Sequence, residues 1–99
     1  MKDLGQRNIL RIPLQLLWEL TDIRQRIEAN PDELEHGLMQ WYAQYEPDAQ
    51  RLMYDQIFQA IQEPAYDYTQ VLKNVKSSNE DILLYFNFLH AAIQKKISS

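Results

Sequence analysis

Apolar positions recur at helical spacing along most of this chain. Leu16, Leu20, Ile23 and Ile27 follow one another at intervals of four, three and four. That rhythm puts them on one side of a helix and predicts an amphipathic helix from roughly Pro13 to Ala29. Leu17 and Trp18 broaden the apolar side, while Glu19, Asp22, Arg24 and Arg26 fall mostly opposite. A second stripe, Leu34, Leu38, Trp41 and Tyr45 with Tyr42 alongside, predicts a helix that starts at Pro31. Asn30 is its expected cap, with Glu33 at N3. A third helix starts near Pro47 and Asp48 and presents Leu52, Tyr54, Ile57, Phe58 and Ile61 on its apolar side.

Residues 62–66, around Pro64, read as a break. A short helix from Asp67 to Val75 follows, although Tyr68, Thr69, Val71 and Val75 also suit a strand. Ser77 or Ser78 caps the last helix, with Glu80 and Asp81 in its first turn and Lys95 and Lys96 near its end, each sign favoured by the helix dipole. Ile82, Phe86, Leu89, Ile93 and Ile97 line its core face. The four prolines stand sixteen to eighteen residues apart, and the first three read as helix starts, where the missing N–H is not needed. The expected fold is all-α: a compact bundle of four main helices plus one short helix, in a single helical domain over residues 1–99. Its core should hold Leu16, Leu20, Ile23, Leu38, Trp41, Ile57, Ile61, Phe86, Leu89 and Ile93.

Composition supports that fold and narrows the chemistry. Gly5 and Gly37 are the two glycines of the 99 residues, too few for the many tight turns of an all-β fold. The Pro31-Asp32 and Pro47-Asp48 segments are faintly alike at an offset of sixteen. Any two amphipathic helices that begin at proline look similar, and two units do not make a solenoid. With no cysteine, disulfides, thiolate nucleophiles and cysteine-based metal sites are excluded. No apolar run approaches the ~20 residues that a membrane-spanning helix needs. Pro13 and Glu19 interrupt the one stretch that could serve as a secretion signal. A cytoplasmic location is therefore expected.

Catalysis is not expected. Ser77 and Ser78 read as caps, Ser98 and Ser99 as a tail, and no glycine-rich phosphate loop is present. Asp32 and Glu33 share a helix side with His36, and one Glu-x-x-His unit resembles half of a carboxylate di-metal site. The other histidine, His90, has Phe86 and Asn87 where a second unit needs carboxylates. It reads as a half-buried helix residue with one hydrogen bond. No metal and no cofactor are expected.

Charge is the least random feature. Between Ile27 and Leu72 nine acids meet one base, Arg51, so that segment carries −8 within a chain of net −4. Trp41, Tyr42, Tyr45, Tyr54, Tyr66 and Tyr68 share the segment, more aromatics than one helical stripe can bury. Trp41, Tyr45 and Tyr54 are expected inside, and Tyr42, Tyr66 and Tyr68 at the rim, where a ring with a polar tip suits a partner. The expected partner-binding face is Asp32, Glu33, Glu35, Tyr42, Glu46, Asp48, Asp55, Tyr66, Asp67 and Tyr68. If the second and third helices form an antiparallel hairpin, these acids bracket Tyr42. Such a face attracts a basic protein. Clustered Lys and Arg, which nucleic acid and anionic membranes demand, are missing from it. The bland alternative is a solvated, solubilising surface.

Within this stretch Tyr45-Glu46-Pro47-Asp48-Ala49-Gln50-Arg51 resembles part of the small helical immunity proteins that neutralise colicin D-type tRNA-cleaving toxins. The likeness covers seven residues and carries over no site residue. It implies a protein-binding inhibitor, immunity- or antitoxin-like, that neutralises a basic nuclease or tRNase toxin. The alternative is a helical adaptor or regulatory protein acting by apolar helix–helix association or homodimerisation, with Leu17, Trp18 and Phe88 as surplus apolar surface.

Overall fold

The last helix organises the molecule. In the computed structural model, which describes residues 8–20, 22–72 and 77–98, five α-helices are present and no strand occurs among the described residues. They are α1 (Arg11–Gln15), α2 (Ile23–Ala29), α3 (Pro31–Tyr42), α4 (Pro47–Gln62) and α5 (Asn79–Ser98). Single 3₁₀ turns lie at Asn8–Leu10, Leu16–Trp18 and Tyr68–Gln70. The all-α fold is thus as expected. α5 packs against α2, α3, α4 and the Tyr68–Gln70 turn.

α5 buries Ile82, Tyr85, Phe86, Leu89, Ala92 and Ile93, a helical three-and-four spacing along one side. Ser78 Oγ accepts the backbone N–H of Asp81, so the predicted cap is in place. Ile97, expected in the core, is 66% exposed because α5 runs on past the elements that cover its earlier turns. Tyr85 was not foreseen. It is fully buried and donates a 2.8 Å hydrogen bond to the carbonyl of Pro13, tying the N-terminal stretch to the middle of α5. Burial pushes the Tyr85 hydroxyl well above its ordinary pKa, so it remains a donor.

The predicted first helix is broken. α1 tightens into the Leu16–Trp18 turn, and Asp22 takes a left-handed conformation with φ 56° before α2 begins. Asp tolerates that region better than most residues. The reason lies in phase. Leu10, Leu14 and Leu17 are buried, and so is Ile23. On one continuous helix Ile23 would stand about 140° round from the other three, at 100° per residue. Breaking the helix turns both sets inward. Pro13 accordingly sits inside α1's first turn and is buried rather than opening a long helix.

α3 and α4 begin at Pro31 and Pro47 as expected, but Asn30 makes no side-chain capping bond. The two do not pack extensively along each other as a hairpin would; each lies against α5. α4 is also rotated from its predicted stripe. Met53, Gln56, Ile57 and Ala60 face inward, Leu52, Tyr54 and Ile61 are half-buried, and Phe58 is 47% exposed. Tyr68 decides this. Its buried ring packs edge-on to Phe86, and its hydroxyl lies 3.1 Å from the Ala60 carbonyl and 3.0 Å from that of Glu63. A small residue therefore faces inward at position 60.

The loop before α5 is pinned by Asn79. Its Oδ1 accepts the Tyr68 N–H at 2.8 Å, and its Nδ2 donates to the carbonyls of Tyr66 and Pro64. The short helix expected over Asp67–Val75 is reduced to one 3₁₀ turn, and residues 73–76 lie outside the described residues. Of the remaining predicted core, Ile23, Leu38, Ile57, Phe86, Leu89 and Ile93 are buried; Leu16, Leu20, Trp41 and Ile61 are half-buried against it.

Two substitutions test this packing. Leu89→Ala should cost about 2–5 kcal/mol by urea denaturation, since the site is closed on every side. Tyr85→Phe leaves the volume almost unchanged but removes one buried hydrogen bond, while the Pro13 carbonyl keeps the Leu16 N–H as donor, and should cost about 0.5–1.5 kcal/mol.

Candidate functional site

Once α4 is placed, its solvent side can be read directly. Asp48, Arg51, Asp55, Phe58, Gln59 and Gln62 are all exposed. At helical spacing they form one stripe about 100° wide, opposite Met53, Ile57 and Ala60. Glu46, the exposed residue that precedes α4, adds a carboxylate at the stripe's start. Phe58 therefore shares a helix face with Asp55, one turn away. Its ring leans on His90 of α5 at a centroid separation of 5.4 Å, and His90 in turn stacks on Tyr54 at 4.8 Å and 17°.

The structure sorts the ten predicted partner-binding residues into unlike groups. Glu46, Asp48 and Asp55 come together along α4. Asp32 and Glu33 are exposed in the first turn of α3, at the other end of a helix about 18 Å long, and Glu35 approaches Lys95 of α5 at 3.5 Å. Asp67 is occupied locally. One oxygen accepts the backbone N–H and hydroxyl of Thr69, and the other accepts the Gln70 amide at 3.2 Å. It shapes the turn after Pro64.

The tyrosines overturn the expected rim. Tyr68 is in the core, and Tyr66 is half-buried against it at 4.8 Å. Tyr42 is 5% exposed and closes the turn between α3 and α4. Its hydroxyl donates to the Gln50 carbonyl at 2.6 Å, while Gln50 Nε2 donates back to the carbonyls of Tyr42 and Tyr45 at 3.0 and 2.8 Å. The carbonyls at α3's end need such donors, and Gln50 reaches them from α4's first turns. Burial, and then the neighbouring Tyr54 and Asp55, push the Tyr42 hydroxyl up to about 12. Tyr42 is thus a structural clamp and cannot anchor a partner. Phe58 is the anchor candidate that sequence reasoning missed. The available signal was Asp55, three residues earlier, which marks that flank of the helix as solvated.

His90 is half-buried as predicted, but its Nε2 is buried without a hydrogen-bond partner. Desolvation between Tyr54 and Phe58 lowers its pKa. Glu33 and His36 are exposed, and among the described residues no three His, Asp or Glu side chains converge as a metal site would require. No helix among the described residues is long and apolar enough to cross a membrane.

One concavity accompanies these features. An open cleft of about 450 Å³ lies between the Leu16–Leu20 stretch, α2 and α3. Leu16, Leu20, Leu34, Leu38 and Trp41 supply its apolar lining, and Arg26 and Glu33 also border it. Compared with protein-family models, with curated proteins and with solved structures, the chain gives no match.

Tyr42→Ala should destabilise the fold by about 3–5 kcal/mol, as a buried aromatic truncation does, measured by thermal or urea unfolding. His90 generates a pH prediction. Its folded pKa lies below the unfolded value of about 6.5, so the unfolded chain takes up the proton more readily. Stability should be full above about pH 6.5 and fall as pH drops through the folded pKa. His90→Phe keeps an aromatic ring between Tyr54 and Phe58 and should remove that slope from unfolding curves taken between pH 5 and 7.

Proposed function

We propose that this chain is a protein-binding inhibitor, immunity- or antitoxin-like, that neutralises a basic nuclease or tRNase toxin in the cytoplasm. It docks by the outer stripe of α4. Phe58 carries the reading: a 47% exposed aromatic on the same helix face as Asp48 and Asp55, inside a segment of net charge −8. Carboxylates steer a cationic surface into place, and an aromatic ring with its edge already supported by His90 supplies apolar burial once it arrives. The same carboxylates can occupy a positive cleft in place of a phosphate backbone. The seven-residue likeness to colicin D-type immunity proteins, Tyr45 to Arg51, covers the start of this stripe. Asp32 and Glu33 at the start of α3 extend the negative field and need no direct contact, since charges act over about 8–10 Å at physiological salt.

The test is neutralisation in solution. The purified tRNase domain of a colicin D-type toxin is mixed with the chain, and tRNA cleavage is followed. Added chain should suppress cleavage, with an association rate that falls markedly between low and physiological salt. Glu46→Lys with Asp48→Lys should weaken the complex by about 2–4 kcal/mol in all and leave the melting temperature nearly unchanged, because exposed charges contribute little to stability. Phe58→Ala should cost about 2 kcal/mol, chiefly as faster dissociation. Cleavage unaffected by an excess of chain would reject this target class, and binding indifferent to both salt and the reversals would reject the acidic stripe.

A further inference from the structure

We propose that His90 is a pH-operated support for Phe58: the neutral imidazole holds that ring at the solvent edge of α4, and protonation swings the imidazole out and releases the ring. His90 lies 4.8 Å from Tyr54 at 17° and 5.4 Å from Phe58 at 31°. Its two neighbours differ in freedom. Tyr54 packs against the core, whereas Phe58 is 47% exposed and stands outside that cluster. His90 is the ring on which Phe58 leans.

Nε2 of His90 is buried and has no hydrogen-bond partner. A neutral imidazole tolerates this, because its one N–H can sit on Nδ1 and leave Nε2 a bare lone pair. The imidazolium carries an N–H on both nitrogens. Its charged Nε2–H would then be buried without an acceptor, which costs far more than burying a neutral group. Stacking of the cation on Tyr54 returns only part of that cost. Burial accordingly lowers the pKa. Phe58 is the exposed ring of the stack, so the way to water leads past it.

No charge among the described residues offsets this. On α5 no charged residue stands between Asp81 and Lys95. Asp81 lies about 180° round the helix from His90 and pairs with Arg24 of α2, and Lys95 lies about 140° round and pairs with Glu35 of α3. Tyr85 is fully buried and donates to the Pro13 carbonyl. From α4, Tyr54 touches the imidazole, while Arg51 and Asp55 are exposed on the outer stripe. The Asn8–Leu10 turn that packs on α4 contains no titratable side chain. Burial is the one cause of the His90 shift, so neither Arg51 nor Asp55 contributes to it. What the switch governs rests on the α4 docking face proposed for a basic partner. A partner that covers Phe58 selects the neutral imidazole, so its affinity should fall about tenfold for each pH unit below the folded pKa of His90.

NMR of the full chain carrying His36→Gln tests this, since that exposed substitution leaves one imidazole to observe. Ring resonances of His90, Tyr54 and Phe58 are followed from about pH 8 to about pH 4. At the upper end, nuclear Overhauser contacts should join His90 to both rings. As the imidazole charges, its contact to Phe58 should vanish with the same midpoint, while the Tyr68–Phe86 contact and the circular dichroism hold. His90→Phe cannot take up a proton, and in it the Phe58 resonances should stay level over the whole range. An imidazole that charges while still touching Phe58 overturns the proposal. So does one that stays neutral until the chain unfolds, and so does a Phe58 shift that persists in His90→Phe. No partner enters the experiment: a failed switch leaves the docking face as proposed, and a toxin that does not bind leaves the switch standing.

Discussion

The apolar side of α5 is the surface on which the rest depends. Ile82, Tyr85, Phe86, Leu89, Ala92 and Ile93 must all leave water, and with no strand among the described residues they are covered by other helices and turns. Three segments converge on that surface: α4, the α2–α3 pair, and the N-terminal stretch held through the Tyr85–Pro13 hydrogen bond. Contacts of Tyr54 and Phe58 with His90, and of Tyr68 with both Phe86 and the Ala60 carbonyl, set α4 antiparallel to α5. Each covering segment is then rotated to satisfy α5, and that rotation decides which residues remain outside.

The consequences for charge are direct. Arg24 donates two hydrogen bonds to Asp81 Oδ1, at 3.0 and 2.8 Å, and so latches α2 onto the start of α5. Such a pair, largely in solvent, fixes geometry more than it adds stability. Asp67 and Glu35 are likewise engaged within the chain. Three carboxylates, Glu46, Asp48 and Asp55, point outward where α4 turns its back on α5. There Phe58 shares the surface, because the rotation that buries Met53 and Ala60 brings it to the edge of solvent. The cleft has a related origin. The break between the Leu16–Trp18 turn and α2 turns Ile23 inward but leaves Leu16 and Leu20 only partly covered, so the space beside α3 stays open.

Helix starts were legible because their signals are local. Pro31 and Pro47 at N1 and the Ser78 cap need only neighbouring residues to act. The all-α class was legible too, from a period of about 3.6 that recurs through the chain. The candidate site was half legible. Glu46, Asp48 and Asp55 lie exposed as read, since burying an unpaired carboxylate is too costly in almost any fold. Tyr42 and Tyr68 were misassigned to the rim because an amphipathic ring accepts either environment, and Phe58 to the core because the rotation of α4 is set by what packs against it. What settles each tyrosine is whether a carbonyl stands within reach of the hydroxyl. The carbonyls of Gln50, Ala60 and Glu63 meet that need only after folding.

The sequence by itself determined that this chain is helical, where three of its helices begin, and that its middle is acidic. These follow from propensity, capping and composition, which act within a few residues. Tertiary structure alone decided that the first helix breaks, that Tyr85 and Tyr42 become internal clamps, and that Phe58 rather than a tyrosine faces solvent beside the acids. Those outcomes depend on how several apolar stripes, each with some angular freedom, fit against one shared surface on α5. The angle at which a broad stripe settles is set by the volumes packed against it, and no local pattern encodes them.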